Sequence, residues 1–145
     1  MKRLLILLFT MLALMLSLAG AARAAGADGV KVVYHMSDGI DQASRGLASI
    51  RNHLRAEPDT KIVVVALGEG IRFLIKGATE RNGRPFDAAV TALVRQGVEF
   101  RVCNNTLTAH NVAPSELVPE ITLVPAGVAE IARLQAREGY AYIRP

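Results

Sequence analysis

Cysteine and aromatic side chains are scarce in this sequence: 145 residues hold one Cys, no Trp, three Tyr and four Phe. One cysteine excludes an internal disulfide scaffold and the CxxC pair of thioredoxin-type redox chemistry. No phosphate-binding loop with its lysine is present, and no internal repeat or low-complexity stretch interrupts the chain. Disorder is excluded in turn by a 51% hydrophobic content. An excess of charge of either sign is also nearly absent once the N-terminal segment is set aside. The formal charge is +4, but Lys2, Arg3 and Arg23 fall in a segment expected to be removed. The 17 basic residues less these three leave 14 against 13 acidic, a net of +1. Such a balance gives no electrostatic footprint for a polyanion, and nucleic acid is not expected as a partner.

What is present begins with an address. Met1-Lys2-Arg3 is followed by an apolar run from Leu4 to Ala19 and then by small residues, including Ala22-Arg23-Ala24. Basic start, short apolar core and small-x-small site are the layout of a secretory signal peptide. At roughly 16 residues the run is shorter than the ~20 of a membrane-spanning helix, the alternative reading being an uncleaved anchor. In Leu18-Ala19-Gly20-Ala21 an alanine replaces the cysteine of a lipoprotein site, so no lipid anchor is expected. Residues 1–24 are thus read as a signal peptide and 25–145 as one domain working in a bacterial periplasm. Any membrane association would run through the uncleaved segment alone.

Strands and helices alternate along the mature chain. Val30–His35, Ile62–Leu67, Val98–Cys103, Ile121–Val124 and Tyr140–Ile143 read as strands. The unbroken apolar run at Ile62–Leu67 suits a strand buried on both faces of a parallel sheet. Asp41 is a plausible N-cap for a helix to Ala56, with Ala43, Leu47, Ile50 and Leu54 on one face. A second helix covers Phe86–Gln96, and Gly97 suits its C-terminal cap. Pro125 opens a third that Gly139 closes, with Val128, Ile131, Ala132 and Gln135 on one side. Asn104-Asn105 turns the chain, Thr106–Asn111 forms a short helix or ordered loop, and Ile71–Ile75 has no clear type. The alternation implies right-handed βαβ crossovers: a three-layer α/β fold of Rossmann-like topology, its sheet mostly parallel, with helices on both faces.

In such sheets ligands collect beyond the carboxyl ends of the strands. Three segments reach that rim: His35–Gly39, Gly68-Glu69-Gly70, and Cys103 with Asn104-Asn105. Cys103 ends its strand, where following amides can point at a thiolate, and Arg101 shares its strand face. A cation and turn amides lower a thiol pKa, whereas a buried free cysteine is an inert small hydrophobe. Both readings stand at this point. His110, seven residues on, is a candidate to return through a loop and activate the thiol, or else a loop histidine bonding to backbone. His35, Cys103 and His110 carry no metal-ligand spacing, and no metal is expected. Gly68-Glu69-Gly70 imitates a dinucleotide fingerprint, but Phe73 occupies the third glycine position, so no cofactor is expected either. The alternation of Glu99, Arg101 and Cys103 against Val98, Phe100 and Val102 suggests that the charged face lines a cleft or meets another subunit.

These segments resemble the DsrE/DsrF-like (YchN-like) family. The likeness is carried by Lys31–His35, Lys61–Ala66, Gly97–Leu107, Val124–Ile131 and Leu134–Ile143, essentially the whole mature chain. The resemblance implies a five-strand, mostly parallel sheet, assembly into homotrimers or homohexamers, and a strand-end cysteine that carries sulfur as a persulfide. Cys103 matches that cysteine by position. Relay members continue with an alanine-rich, arginine–glycine stretch and work in the cytoplasm, whereas here Asn104-Asn105-Thr106-Leu107-Thr108-Ala109-His110 follows in an exported chain. The expected function is a periplasmic sulfur carrier or sulfurtransferase-like protein with a sulfur donor or acceptor protein as partner. Cys103 would hold the sulfur, Arg101 and local amides would stabilise its anion, and His110 would shuttle a proton. The alternative is a non-catalytic oligomeric module that binds a small ligand or partner and keeps Cys103 as a structural residue.

Overall fold

A computed structural model describes residues 29–145. The signal-peptide reading of residues 1–24 lies outside them. The strands are β1 (Lys31–Met36), β2 (Lys61–Ala66), β3 (Glu99–Cys103), β4 (Ile121–Val124) and β5 (Ala141–Ile143). They form one sheet in the order β4-β3-β2-β1-β5, every pairing parallel. Helices α1 (Ile40–Ala56), α2 (Phe86–Val94), α3 (Asn104–His110) and α4 (Gly127–Glu138) join them, with a 3₁₀ segment at Gly68–Leu74 and another at Pro114–Glu116. The Gly68–Leu74 helix settles the piece that periodicity left open. Among the described residues no helix is long and apolar enough to cross a membrane.

Strand β2 shows why the sheet is central. Every residue from Ile62 to Ala66 is buried, as β-branched side chains on both faces of a covered strand require. Ile62, Val64 and Ala66 join a large core with α1, the first 3₁₀ segment, α2 and α3. Phe73 anchors it, edge-on to Phe86 at 5.8 Å and to Phe100 at 6.3 Å. Burying each ring contributes roughly 1.5–3 kcal/mol. Val63 and Val65 point the other way, into a small second core of Val33, Ile131 and Leu134. The three layers are therefore unequal: among the described residues α4 is the one helix on the second face.

Several local expectations change. Gly39 rather than Asp41 precedes α1, because the chain enters that helix at φ 85°, a conformation side chains disfavour. Asp41 sits in the first turn, and the Gln42 side-chain oxygen accepts the amides of Ser37 and Asp38 at 2.6 and 2.8 Å. Asn104-Asn105 does not turn the chain but starts α3, and the turn comes at left-handed Asn111. Helix α4 begins at Gly127, two residues past Pro125, and ends at left-handed Gly139 as expected. Its inward residues are Gly127, Ile131 and Leu134, while Val128 is 64% exposed and Ala132 and Gln135 face outward. Of the stripe read along α4 only Ile131 faces the sheet, joined there by Gly127 and Leu134, while Val128, Ala132 and Gln135 face outward.

Candidate active site at the strand rim

Cys103 closes β3 at the carboxyl edge and is the residue from which α3 starts. It pairs with Val124 of β4, and it is 6% exposed. Burial by itself pushes the thiol pKa up. The Thr106 hydroxyl and the amides of Gly127, Thr106 and Asn105 outweigh this and hold it below the ordinary thiol value. These donors come from the first turns of two helices, α3 and α4. The Cys103 side chain makes no capping hydrogen bond to the first turn of α3. Gly68 N–H donates to the Thr106 hydroxyl oxygen at 3.1 Å, tying the β2 loop to the same cluster.

Gly127 reaches the sulfur because it lacks a Cβ. A Cβ there would stand 3.2 Å from the Cys103 Cβ, 3.2 Å from the Leu67 Cβ and 2.9 Å from the Leu67 Cδ2. Neither Gly127 nor Thr106 is singled out by sequence reasoning. Thr106 had a legible signal, a hydroxyl three residues after a strand-end cysteine, which becomes the N3 position once α3 starts at Asn104. Gly127 lies 24 residues beyond Cys103 and has no local signal.

Arg101 shares the strand face of Cys103, as the alternation requires, but its guanidinium is held elsewhere. It bonds Glu99 at 2.6 Å and also Glu130 of α4, with 15% of its side chain exposed. Glu130 in turn pairs with Arg133 at 2.8 Å, and Arg133 with Glu138. The charged face of β3 is thereby satisfied within the chain, beneath α4, and the leading causes that lower the Cys103 pKa are hydrogen-bond donors rather than the Arg101 charge. His110 ends α3, about 10 Å along the helix axis from Cys103 at 1.5 Å per residue. Its Nδ1 faces a Glu69 carboxylate oxygen at 3.9 Å. The structure brings Cys103 together with backbone amides and Thr106, and places Arg101 and His110 in other contacts.

His35 lies on the same sheet face, in one row with Val65, Arg101 and Thr122. Its Nδ1 meets the Tyr142 hydroxyl at 2.7 Å, while Nε2 is buried without a partner. Burial, then the nearby Arg144 charge, lowers its pKa, with Asp38 opposing. Among the described residues no three His, Cys, Asp or Glu side chains gather as a metal site.

The comparisons with known proteins bear on the fold and the family. MTH1491 from Methanobacterium thermoautotrophicum, described as a protein of unknown function, is 32% identical. It superposes with a TM-score of 0.71 over 80% of this chain and 99% of its own. The YchN protein of E. coli gives a TM-score of 0.68 over the same shares, at 11% identity, a likeness of fold alone. A search of the curated proteins finds no match. The family model described as DsrE/DsrF-like matches residues 10–145. With that match across nearly the full length, the chain, whose five-stranded parallel sheet superposes on both structures, belongs to the DsrE/DsrF-like family.

Proposed function

We propose that the protein is a periplasmic sulfur carrier or sulfurtransferase-like protein in which Cys103 holds sulfur as a persulfide. The observation that carries this reading is the convergence of three amides and one hydroxyl on a strand-end sulfur, which lowers its pKa despite burial. A thiolate is the form that attacks a sulfane-sulfur donor, and a persulfide anion at the same place draws on the same donors. In this reading the Thr106 hydroxyl and the three amides, rather than the guanidinium of Arg101, supply most of the field. Export through residues 1–24 and assembly as a homotrimer or homohexamer belong to the same proposal, supported by the leader pattern and by family membership.

Mass spectrometry of the mature protein after incubation with inorganic polysulfide tests it. A gain of one sulfur on Cys103, absent in Cys103→Ser, supports the carrier. A folded-state thiol that gains no sulfur and resists alkylation at every pH from 6 to 10 returns Cys103 to a structural role and favours the binding module.

A further inference from the structure

Strand β5 is the shortest of the sheet. It pairs three residues with β1, from Val32 with Ala141 to Tyr34 with Ile143, and among the described residues no strand lies on its other edge. Ala141 and Tyr142 are exposed, and of the strand only Ile143 packs on the main core. Side chains add the rest of the hold. Arg144 Nη2 donates to both carboxylate oxygens of Asp38, each at 2.8 Å. The amide of buried Gln42 donates to the Pro145 main-chain oxygen at 3.3 Å, and Gly46 leaves room for the Pro145 ring, whose Cγ would stand 3.0 Å from a Cβ there. The last tie joins Tyr142 to His35.

That tie has a chemical weakness. A neutral imidazole carries one proton. Placed on Nδ1, the proton goes to the Tyr142 oxygen and leaves Nε2 as a bare lone pair; placed on Nε2, it is buried with no acceptor. Orphaned buried N–H groups are the rarer defect, so the neutral ring with its proton on Nδ1 fits the site. A second proton does not fit, because it must sit on Nε2. Arg144 lies one step past the Tyr34–Ile143 pair, level with His35, so the new charge also meets a guanidinium. The nearby Asp38 is engaged by Arg144 and by the Ser37 hydroxyl at 2.7 Å. Val65 of β2 carries no charge, and beyond it Arg101 of β3 is held by Glu99 and Glu130. Glu130 and Glu138 of α4 are engaged by Arg133. Each of these carboxylates is thus already committed to an arginine.

We propose that Tyr142–Pro145 is an acid-released strap: protonation of His35 drives its ring out of the site, breaks the tie to Tyr142 and frees β5. Strand β1 then becomes the edge of the sheet, with its backbone groups on that side bare. The proposal stands apart from the carrier reading of Cys103. Burial, then Arg144, holds the His35 pKa below the ordinary imidazole value of about 6.5. The strapped form therefore loses ground as the pH falls below that value, and the loss is complete below the strapped-state value. Asp38, its pKa held low by the Ser37 hydroxyl and then by Arg144, stays charged through the same range.

Hydrogen exchange of the mature protein, read by peptide mass at pH 7.5 and pH 5 and corrected for intrinsic rates, tests this. Amides of residues 141–144 should exchange on the order of tenfold faster at pH 5, while those of 62–66 in β2 stay protected at both values. His35→Gln keeps a side chain that hydrogen-bonds but does not titrate, and its 141–144 amides should show no acid response. Arg144→Gln should exchange faster at both values with a smaller ratio between them, since the Asp38 tie and the repelling charge are both gone. A flat wild-type response, an acid response that persists in folded His35→Gln, or protection lost in β2 together with β5 overturns the proposal. Should His35→Gln fail to fold, the wild-type and Arg144→Gln profiles decide, and an undiminished ratio in Arg144→Gln counts against the strap.

Discussion

Gly127→Ala perturbs the site at its tightest point. In an ordinary helical turn the change is stabilising, by up to about 1 kcal/mol, because glycine loses more backbone freedom on folding than alanine. Here the new methyl would stand 2.9 Å from the Leu67 Cδ2, which can swing away. It would also stand 3.2 Å from the Cβ atoms of both Leu67 and Cys103, which are fixed to the backbone of neighbouring strands. The helix must therefore lift by a few tenths of an ångström, at a cost in the 1–3 kcal/mol range of overpacked sites. Set against a gain of about 1 kcal/mol, the net is a loss of up to about 2 kcal/mol, and the melting temperature falls by up to roughly 10 °C for a domain of this size. Lifting α4 also withdraws one amide from the sulfur, so the thiol titrates higher. Differential scanning calorimetry and the pH profile of alkylation read the two effects on one sample. A variant that melts at or above wild type with an unmoved thiol pKa would refute the argument that close approach of α4 sets the site.

Gly70→Ala is expected to prevent folding, or to cost more than about 3 kcal/mol, because the added carbon would lie 2.1 Å from the Met36 carbonyl oxygen, where no side chain can yield; soluble yield and a urea melt check it. Glu130→Gln leaves the largely covered guanidinium of Arg101 with Glu99 alone, a loss of about 1–2 kcal/mol after discounting for partial exposure, visible as a lower denaturation midpoint. The wild-type Glu130 carboxyl is held below its ordinary pKa by Arg133, then Arg101, against burial. Its contribution is full above the unfolded carboxylate pKa of about 4.3 and is lost as the pH falls through the folded value, so the gap between wild type and Glu130→Gln should close in acid. Arg101→Ala should lower stability while leaving the Cys103 pKa where it is; a thiol that titrates clearly higher in this variant assigns the field to the guanidinium instead. Light scattering at micromolar concentration should find a trimer or hexamer, and a monomer argues against the proposed assembly.

The sheet was readable because its signals are local. The run Ile62–Ala66 needs no partner to announce a strand covered on both faces, and Gly139 announces the end of α4 by the backbone angle it supplies. Cys103 was readable for the same reason, as the last residue of an alternating strand. What surrounds the sulfur was not. Gly127 arrives from the far side of β4, and Glu130, which neutralises Arg101, lies 29 residues along the chain from it. Arg101 therefore reads as a cation beside a thiol in sequence and as a tie between β3 and α4 in space. Val128 misled for a different reason: an apolar stripe shows that a helix face is hydrophobic, but not which of two such faces the sheet receives.

The unequal layers have a consequence for how the thiol meets its reactants. Helix α4 rests on a cluster of five buried residues, while the opposite face of the sheet holds the bulk of the apolar interior. Local opening favours the element with the thinnest footing. When α4 lifts, Cys103 gains solvent and loses the Gly127 amide in the same motion. The closed molecule keeps an acidic, shielded sulfur; the open one exposes a sulfur that is less acidic and correspondingly more basic as a nucleophile. On this footing the Ile131 and Leu134 contacts set how often the thiol would meet solvent, and variants that thin them should alkylate faster at Cys103.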